Sequence, residues 1–550
     1  ASVGTPPVTV EGATNQYAVR PFALYVDMPG NPAAFDASDP NVFTRAGEDV
    51  EVIASITPVR WDASDDLDLD GIADGHESGE NDPSTLADLS DNSVTVNYQT
   101  SGMVPDGRAL LSSYLHRPSD ASASDPGLSD TGPTPLRIGP FAGTTASSPM
   151  INFDEVGVIE IEAVQTGDYL SIGGAETAKI RGVSGAVGRF IPAYFEVVAT
   201  PNFDLRNGLA TQPWTCGFTY IGQPFEYLAP PVLTVAAKTA LNTDANNYSA
   251  DASAGENFFK FTSTFPNRNY VDNTVPSPTA AFALETLPGA ATLSGTGDFD
   301  GVFDVSLNGE SFRYDKGAAA EIEFEPVLEL TIPAAEFTDS DGVCHPGAMT
   351  ICNLNGPDTS TPYVKSDITT AGVEQRFGRL VVASATGSEL IALPVPMQVE
   401  YFADQGGGIG VFVTNIDDAP TPVTDTCTEL NLQNAVRLTG SGGEQNGDAP
   451  SVPLQGTGGT TRLVDPASGL PPAPDPEFDS GATTLLFQAP TPSGNTGFVD
   501  IRIDLSADGM EWLRYDWDGD GNFDNDPTAR ASFGIFPGRR ELIYIREPWD

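Results

Sequence analysis

Cysteine, histidine and lysine are all scarce in this chain of 550 residues. The four cysteines, Cys216, Cys344, Cys352 and Cys427, include no Cys-x-x-Cys pair and no Cys/His cluster at zinc spacing, which excludes the usual structural zinc site. The three histidines are His76, His116 and His345, and none has a recognisable catalytic partner nearby in sequence. There is no Gly-x-Ser-x-Gly elbow, no His-Glu-x-x-His and no Walker loop. Paired carboxylates could serve a glycosidase, but among 76 acidic residues any such pair is uninformative. The expectation is a protein that is not an enzyme.

Positive charge is equally sparse. Most of the 26 basic residues are arginine, and the net charge is −50. Such a surface repels nucleic-acid phosphates and anionic lipid heads, so neither is expected as a partner; it suits cations and solubility in salt. No apolar run approaches the roughly 20 residues of a membrane-spanning helix. The chain starts at Ala1 without a signal peptide, which reads as a processed or trimmed end.

What is abundant is turn chemistry and core material. With 56 glycines, 46 prolines and 29 phenylalanines, the chain has many breakers between apolar segments. Val158–Ala163, Glu321–Pro326 and Val499–Leu505 alternate apolar and polar residues, the period of half-buried antiparallel strands with one wet face. No long amphipathic helix stands out, and the best short helical candidate is Ala318–Glu321. The fold class expected is all-β, as tandem antiparallel β-sandwich (Ig-like) domains with calcium-type loops. The segments expected are a linker or N-terminal strand at 1–18, a β-sandwich with a calcium-loop insertion at 19–187, a second sandwich at 188–365 and a β domain at 366–438. A Gly/Pro-rich long loop or linker follows at 439–483, and strands completing the last domain at 484–550. Arg117–Met150 also reads as a linker or long loop. Val19–Val26 and Phe190–Val197 both place a proline ahead of an alternating apolar strand, which suggests that each opens a domain.

The sharpest chemical motif is Asp66-Leu-Asp68-Leu-Asp70-Gly71-Ile72-Ala-Asp74-Gly-His-Glu77. It fits the twelve-residue pattern D-x-D-x-D-G-x-x-D-x-x-E at each diagnostic position. Asp66, Asp68 and Asp70 would each offer an oxygen, Ile72 its carbonyl, Asp74 a direct or water-mediated contact, and Glu77 two oxygens. Hard oxygen donors in this number suit Ca²⁺ far better than Zn²⁺. The flanks do not read as EF-hand helices, so the loop is similar to those on extracellular β proteins such as thrombospondin-type repeats. A second candidate holds Asp516, Asp518, Asp520 and Asp524, with Pro527 where the closing glutamate belongs and Asp526 as a substitute for it. Asp298–Asp304 and Asp339–Gly342 read as ordinary Asp-Gly turns. The expected role of Ca²⁺ is structural, since it turns carboxylate repulsion into cross-linking.

Cys344 and Cys352 are close enough in sequence to pair locally, which would leave Cys216 to pair with Cys427 across about 210 residues. Four buried thiols are the alternative. Disulfides would imply an oxidising compartment.

Several segments form an ordered set: Gly188–Phe195, Cys216–Phe225, Asp339–Cys344, Arg376–Leu380, Gly387–Leu390, Leu393–Tyr401, Cys427-Thr428 and Trp512–Glu547. Arg20-Pro21-Phe22 and Phe153–Gly157 match more loosely. The set resembles the large domain of unknown function in the C-terminal half of MshQ-type proteins, which are encoded with the mannose-sensitive haemagglutinin pilus, a type IV system. The resemblance implies a cell-surface or extracellular location on a Gram-negative bacterium, pilins or minor pilins as partners, and an adhesive or tip role. It supplies no catalytic residues. Family members often carry an N-terminal lectin-like domain, and no such domain is expected within these 550 residues.

Function is therefore expected to be structural or adhesive, on a calcium-stabilised β-rich scaffold. The strand Leu542–Ile545 would close the last sheet or dock to a pilin by strand addition. Two alternatives are a calcium-dependent protein binding or processing surface glycans, and a self-assembling surface-layer or matrix protein.

Overall fold

The computed structural model describes residues 17–534 apart from 51–54, 78–83, 97, 99–108, 130–135, 139–140, 142–145, 148–149, 200–201, 211–215, 276–281, 318, 347–360, 370–372 and 420–426. The described residues are almost entirely strand, turn and loop; the one α-helix among them is the single turn Gly174–Thr177. Three large apolar cores follow one another along the chain.

In the first, a sheet of Ala23–Asp27, Ser55–Val59 and Ala146–Ser147 faces a larger one ordered Thr44–Arg45, Val187–Ile191, Gly157–Gln165, Ala109–Arg117 and Arg137–Ile138. Leu24, Val26 and Ile56 from one layer meet Leu111, Ile159, Ile161 and Phe190 from the other. Arg181–Val183, paired to Gly157–Gln165, brings Gly182 against Leu24 of the other layer, where a Cβ would lie 1.7 Å from the Leu24 carbonyl oxygen. Only glycine fits there.

The second core is aromatic. Tyr194–Ala199, Val232–Lys238, Val302–Asn308 and Ala290–Ser294 form one four-stranded sheet. It packs on a second sheet of Leu205–Arg206, Phe225–Tyr227, Ser311–Tyr314 and Leu284–Leu287, and on the three strands Asn269–Asp272, Leu328–Ile332 and Tyr363–Ile368. Phe195, Phe225, Phe261, Phe265, Phe303, Phe312 and Phe337 are all buried. Each contributes about 2 kcal/mol of burial, and edge-to-face pairs such as Phe195 with Phe261 add orientation.

The third core lies between Gly378–Val382, Leu393–Asp404, Ala482–Phe487 and Leu463–Val464 on one side, and Ala385–Gly387, Thr528–Phe533, Gly497–Ile503, Val436–Gly440 and Gly443–Asn446 on the other. The strand Leu393–Asp404 buries Leu393, Val395, Met397 and Val399 while the residues between them stay exposed. Pro394 and Pro396 are tolerated because the ladder to Gly378–Val382 covers only residues 397–401; beyond it Pro396 merely accepts, from the Ala383 amide at 2.9 Å, which needs no proline N–H.

The Val499–Leu505 alternation holds in this third sandwich, with Val499, Ile501 and Ile503 inward. Other expectations need correction. Glu160 and Glu162 do not face water; both are buried. Glu162 pairs with Arg181 and accepts from the Tyr114 hydroxyl at 2.8 Å, and Glu160 lies beside His116. An alternating strand thus became two-sided because polar partners cover its second face. Residues 319–326 form neither helix nor continuous strand, only a bridge from Phe324 to Gln375. The stretch 439–483, expected as a loop or linker, is built of short strands that bury Val452, Leu454, Leu463 and Phe478 in the third core. Likewise Arg117–Met150 contains Leu128–Ser129, Arg137–Ile138 and Ala146–Ser147, and buries Leu136 and Ile138. Apolar residues spaced among Gly and Pro were enough to anchor both. The proposed closing strand Leu542–Ile545 lies outside the described residues.

Candidate calcium loops and the joints between sandwiches

The loop 66–77 leaves the first sandwich after Ser55–Val59 and is held from several sides. Carboxylate oxygens of Asp66, Asp68 and Asp74 converge within 4.8 Å of one another. Asp66 is buried and accepts from the Trp61 indole N–H at 3.0 Å, and Asp74 accepts from the Leu67 amide at 3.2 Å. Asp70 turns elsewhere: its carboxylate accepts from the Ile72 amide at 2.7 Å and its carbonyl from Lys179 Nζ at 2.8 Å. Glu77 is exposed and outside the convergent group. Gly71 has φ +85°, the left-handed conformation that the turn demands, and Arg20 donates to its carbonyl at 2.5 Å.

His76, inside this loop, is buried. Its Nδ1 accepts from the Val183 amide at 3.0 Å, which leaves Nε2 to carry the proton toward the Ala87 carbonyl, also at 3.0 Å. Burial holds its pKa below the usual value. The ring is therefore a neutral tie between the loop and the strand Arg181–Val183.

The second loop brings together Asp516, Asp518 and Asp520. Asp516 accepts the amides of Gly519, Asp520 and Gly521 at 2.7, 2.9 and 3.1 Å. Asp524 is outside the convergent group. Asp526 is unsuited to replace the closing glutamate, since it already accepts from Arg514 at 3.0 Å and Arg502 at 3.2 Å. Both donor sets are all oxygen and anionic, which fits a hard divalent cation. Each loop brings three carboxylates together, from the first, third and ninth positions in the first loop and from the first, third and fifth in the second. Asp339 accepts from the Asp341 and Val343 amides, each at 2.9 Å, as an ordinary turn.

Three domains of one family match in order: DUF6701, second domain, over residues 20–146; DUF6701, third domain, over 155–359; and DUF6701, fourth domain, over 376–548. The chain belongs to the DUF6701 family. No curated protein matches this DUF6701 chain. Among solved structures it is similar to invasin, a bacterial integrin-binding protein, at 9% identity and TM-score 0.19, with 93% of this chain and 60% of that chain covered. An endo-fucoidan hydrolase of glycoside hydrolase family 107 matches at 11% identity and TM-score 0.13, covering 78% and 42%. Domains 4–9 of the surface layer protein SbsC match at 10% and 0.14, covering 88% and 45%. This chain thus spans less than two thirds of each of these structures, and at such TM-scores none of them informs its function.

The joints between the DUF6701 sandwiches carry polar groups that sequence reasoning missed. At the first, Glu155 is buried and accepts the amides of Asn246 and Asn247 at 3.2 and 3.0 Å, and burial pushes its pKa up to about 7. Nearby Arg189, 1% exposed, makes a two-pronged pair with Asp341 at 2.7 and 2.8 Å. At the second joint, Lys316 Nζ donates to the carbonyls of Gly378, Trp512 and Arg514 at 2.7, 2.8 and 2.5 Å, and sits 4.5 Å from the Phe377 ring centre. Burial lowers its pKa well below the usual value. Tyr220 donates to Asp418 at 2.7 Å across the same joint, and Cys216 is disulfide-bonded to Cys427 beside it. Cys344 is also disulfide-bonded, and Cys352 lies outside the described residues. The sequence signal for Arg189 and Lys316 was rarity, a lone basic residue near an apolar strand in a strongly acidic chain, and the Cys216–Cys427 pairing agrees with the one expected from sequence.

Proposed function

We propose that this chain is an extracellular, calcium-stabilised structural or adhesive protein of a Gram-negative cell surface, associated with a type IV pilus of the mannose-sensitive haemagglutinin kind, with the tip as its preferred place. The observation that carries this reading is the fastening of successive sandwiches to one another. Apolar cores, a disulfide, a buried ion pair and a buried lysine held by carbonyls bridge the joints, which suits a scaffold that bears load better than hinged domains around a reaction cleft. The disulfide supports an oxidising compartment. The ordered motifs shared with MshQ-type proteins support the pilus association and name pilins or minor pilins as partners. The convergent aspartates support Ca²⁺ as the stabilising ion; extracellular modules hold it at about 10⁻⁴–10⁻³ M.

A non-catalytic role is supported by the histidines: His76 ties two backbone segments, His116 packs beside Glu160, and His345 sits 3.0 Å from the Phe195 carbonyl. Cryo-electron microscopy of filaments sheared from the native cells, with copurification of minor pilins, tests the proposal. The chain is expected at a filament end or along its shaft. Recovery of the chain only as free monomer would overturn it.

A further inference from the structure

A groove of about 750 Å³ opens beside the first aspartate loop, lined by Val19, Arg20, Phe22, Arg60, Trp61 and Tyr169, among others. Three features make it more than a surface dent. First, Trp61 is 53% exposed, yet its indole N–H is held by the buried Asp66. An exposed indole that is fixed in orientation is a preformed flat apolar platform. Second, Arg60 is exposed, and its guanidinium makes no hydrogen bond or ion pair among the described residues. Most described arginines do find a carboxylate, as Arg117, Arg181, Arg189, Arg268 and Arg379 do, although Arg137 and Arg462 bond only neutral groups. Third, Arg20 also lines the groove and is pinned by the carbonyls of Pro21, Phe22 and Gly71.

We propose that this groove binds a carboxylated sugar residue of a glycan, with the sugar's apolar face on Trp61 and its carboxylate on Arg60. A planar guanidinium without a partner matches a carboxylate through two parallel hydrogen bonds, and this groove sets that group beside an apolar platform, the combination that orients a small ligand. The same geometry makes binding depend on the loop. Asp66 fixes Trp61, and the loop carboxylates repel an incoming anion unless a cation offsets them. This inference deepens the adhesive reading and rests on it only for the surface setting in which glycans are met.

The test is calorimetric titration of the full chain, in calcium-containing buffer, with trigalacturonate and with neutral galactotriose. Trigalacturonate is expected to bind and galactotriose to bind at least tenfold more weakly. Arg60→Gln, at an exposed position, is expected to weaken trigalacturonate about tenfold, which is ~1.4 kcal/mol, with an unchanged melting curve. Trp61→Ala is expected to weaken it by a similar factor, and Trp61→Phe, which keeps a ring but not the indole N–H, by less. Chelation is expected to abolish binding. Absence of trigalacturonate binding, or equal binding by Arg60→Gln, overturns the inference. A chain found on pilus filaments that binds no trigalacturonate would overturn this inference alone and leave the pilus reading standing.

Discussion

His76 accepts the Val183 amide hydrogen at Nδ1, joining a surface loop to a strand more than a hundred residues away in sequence. The contact links the aspartate loop to the core of the first sandwich. Replacing His76 with alanine strands the Val183 amide and the Ala87 carbonyl. The expected cost is about 1–3 kcal/mol for an unsatisfied buried group. Limited proteolysis is expected to cut first near residues 66–77 in this variant, and an unchanged cleavage pattern would show that the tie is unimportant.

Chelation is expected to lower the melting temperature and to raise protease sensitivity around Asp66–Glu77. Asp66→Asn, which also weakens the hold on Trp61, is expected to remove most of the chelator effect, whereas Asp524→Asn, outside the convergent group, leaves it nearly intact. A melt unmoved by excess chelator would rule out a stabilising ion.

Glu155 gives the first joint a pH dependence with a defined sign. Its carboxyl is raised from the ordinary 4.5 to about 7 by burial, so the folded state holds a proton that the unfolded state has lost. Its contribution is complete below about pH 4.5 and is lost as pH rises toward 7. Glu155→Gln mimics the protonated form. Relative to that variant the native chain should lose stability on the order of 1–3 kcal/mol across this window, measured as the difference between their denaturation curves. Parallel curves would show that Glu155 titrates normally.

Lys316 is expected to be the more sensitive group at the second joint. Lys316→Met leaves three carbonyls without this donor, and the loss is expected to be about 1–3 kcal/mol for each buried acceptor left unsatisfied. Hydrogen exchange should rise first in Gly378–Val382 and in Glu511–Leu513, the segments that Lys316 ties. Uniform exchange rates in both proteins would count against it.

Breaking the Cys216–Cys427 bond by a double serine substitution is expected to destabilise the last sandwich by up to about 5 kcal/mol, the chain-entropy estimate for a loop of this length. The bond spans 211 residues, so its loss should also uncouple the unfolding of the second and third sandwiches. Coincident transitions in a calorimetric scan of the variant would refute that coupling.

The β class was legible because strand periodicity is local. Alternation in Val499–Leu505 states which side faces a core, and the structure keeps it. The aspartate spacing in 66–77 likewise brought three carboxylates together, because a turn of fixed length does so wherever it is placed. What sequence could not state is which wet faces find a cover. Glu160 and Glu162 read as solvent-facing until Tyr114, His116 and Arg181 arrive from other strands. Residues 439–483 read as linker because composition reports flexibility, whereas burial of Val452 and Phe478 depends on distant partners.

The sequence by itself determined the all-β class, the acidic surface and the two aspartate turns, since each follows from short-range pattern or from composition. Only the tertiary structure decided that Asp526 is taken by two arginines, that Arg60 is left without a partner beside Trp61, and that Lys316 locks one sandwich to the next. Those outcomes depend on which charges and carbonyls meet across long sequence separations, and pairing of that kind is fixed by packing rather than by spacing.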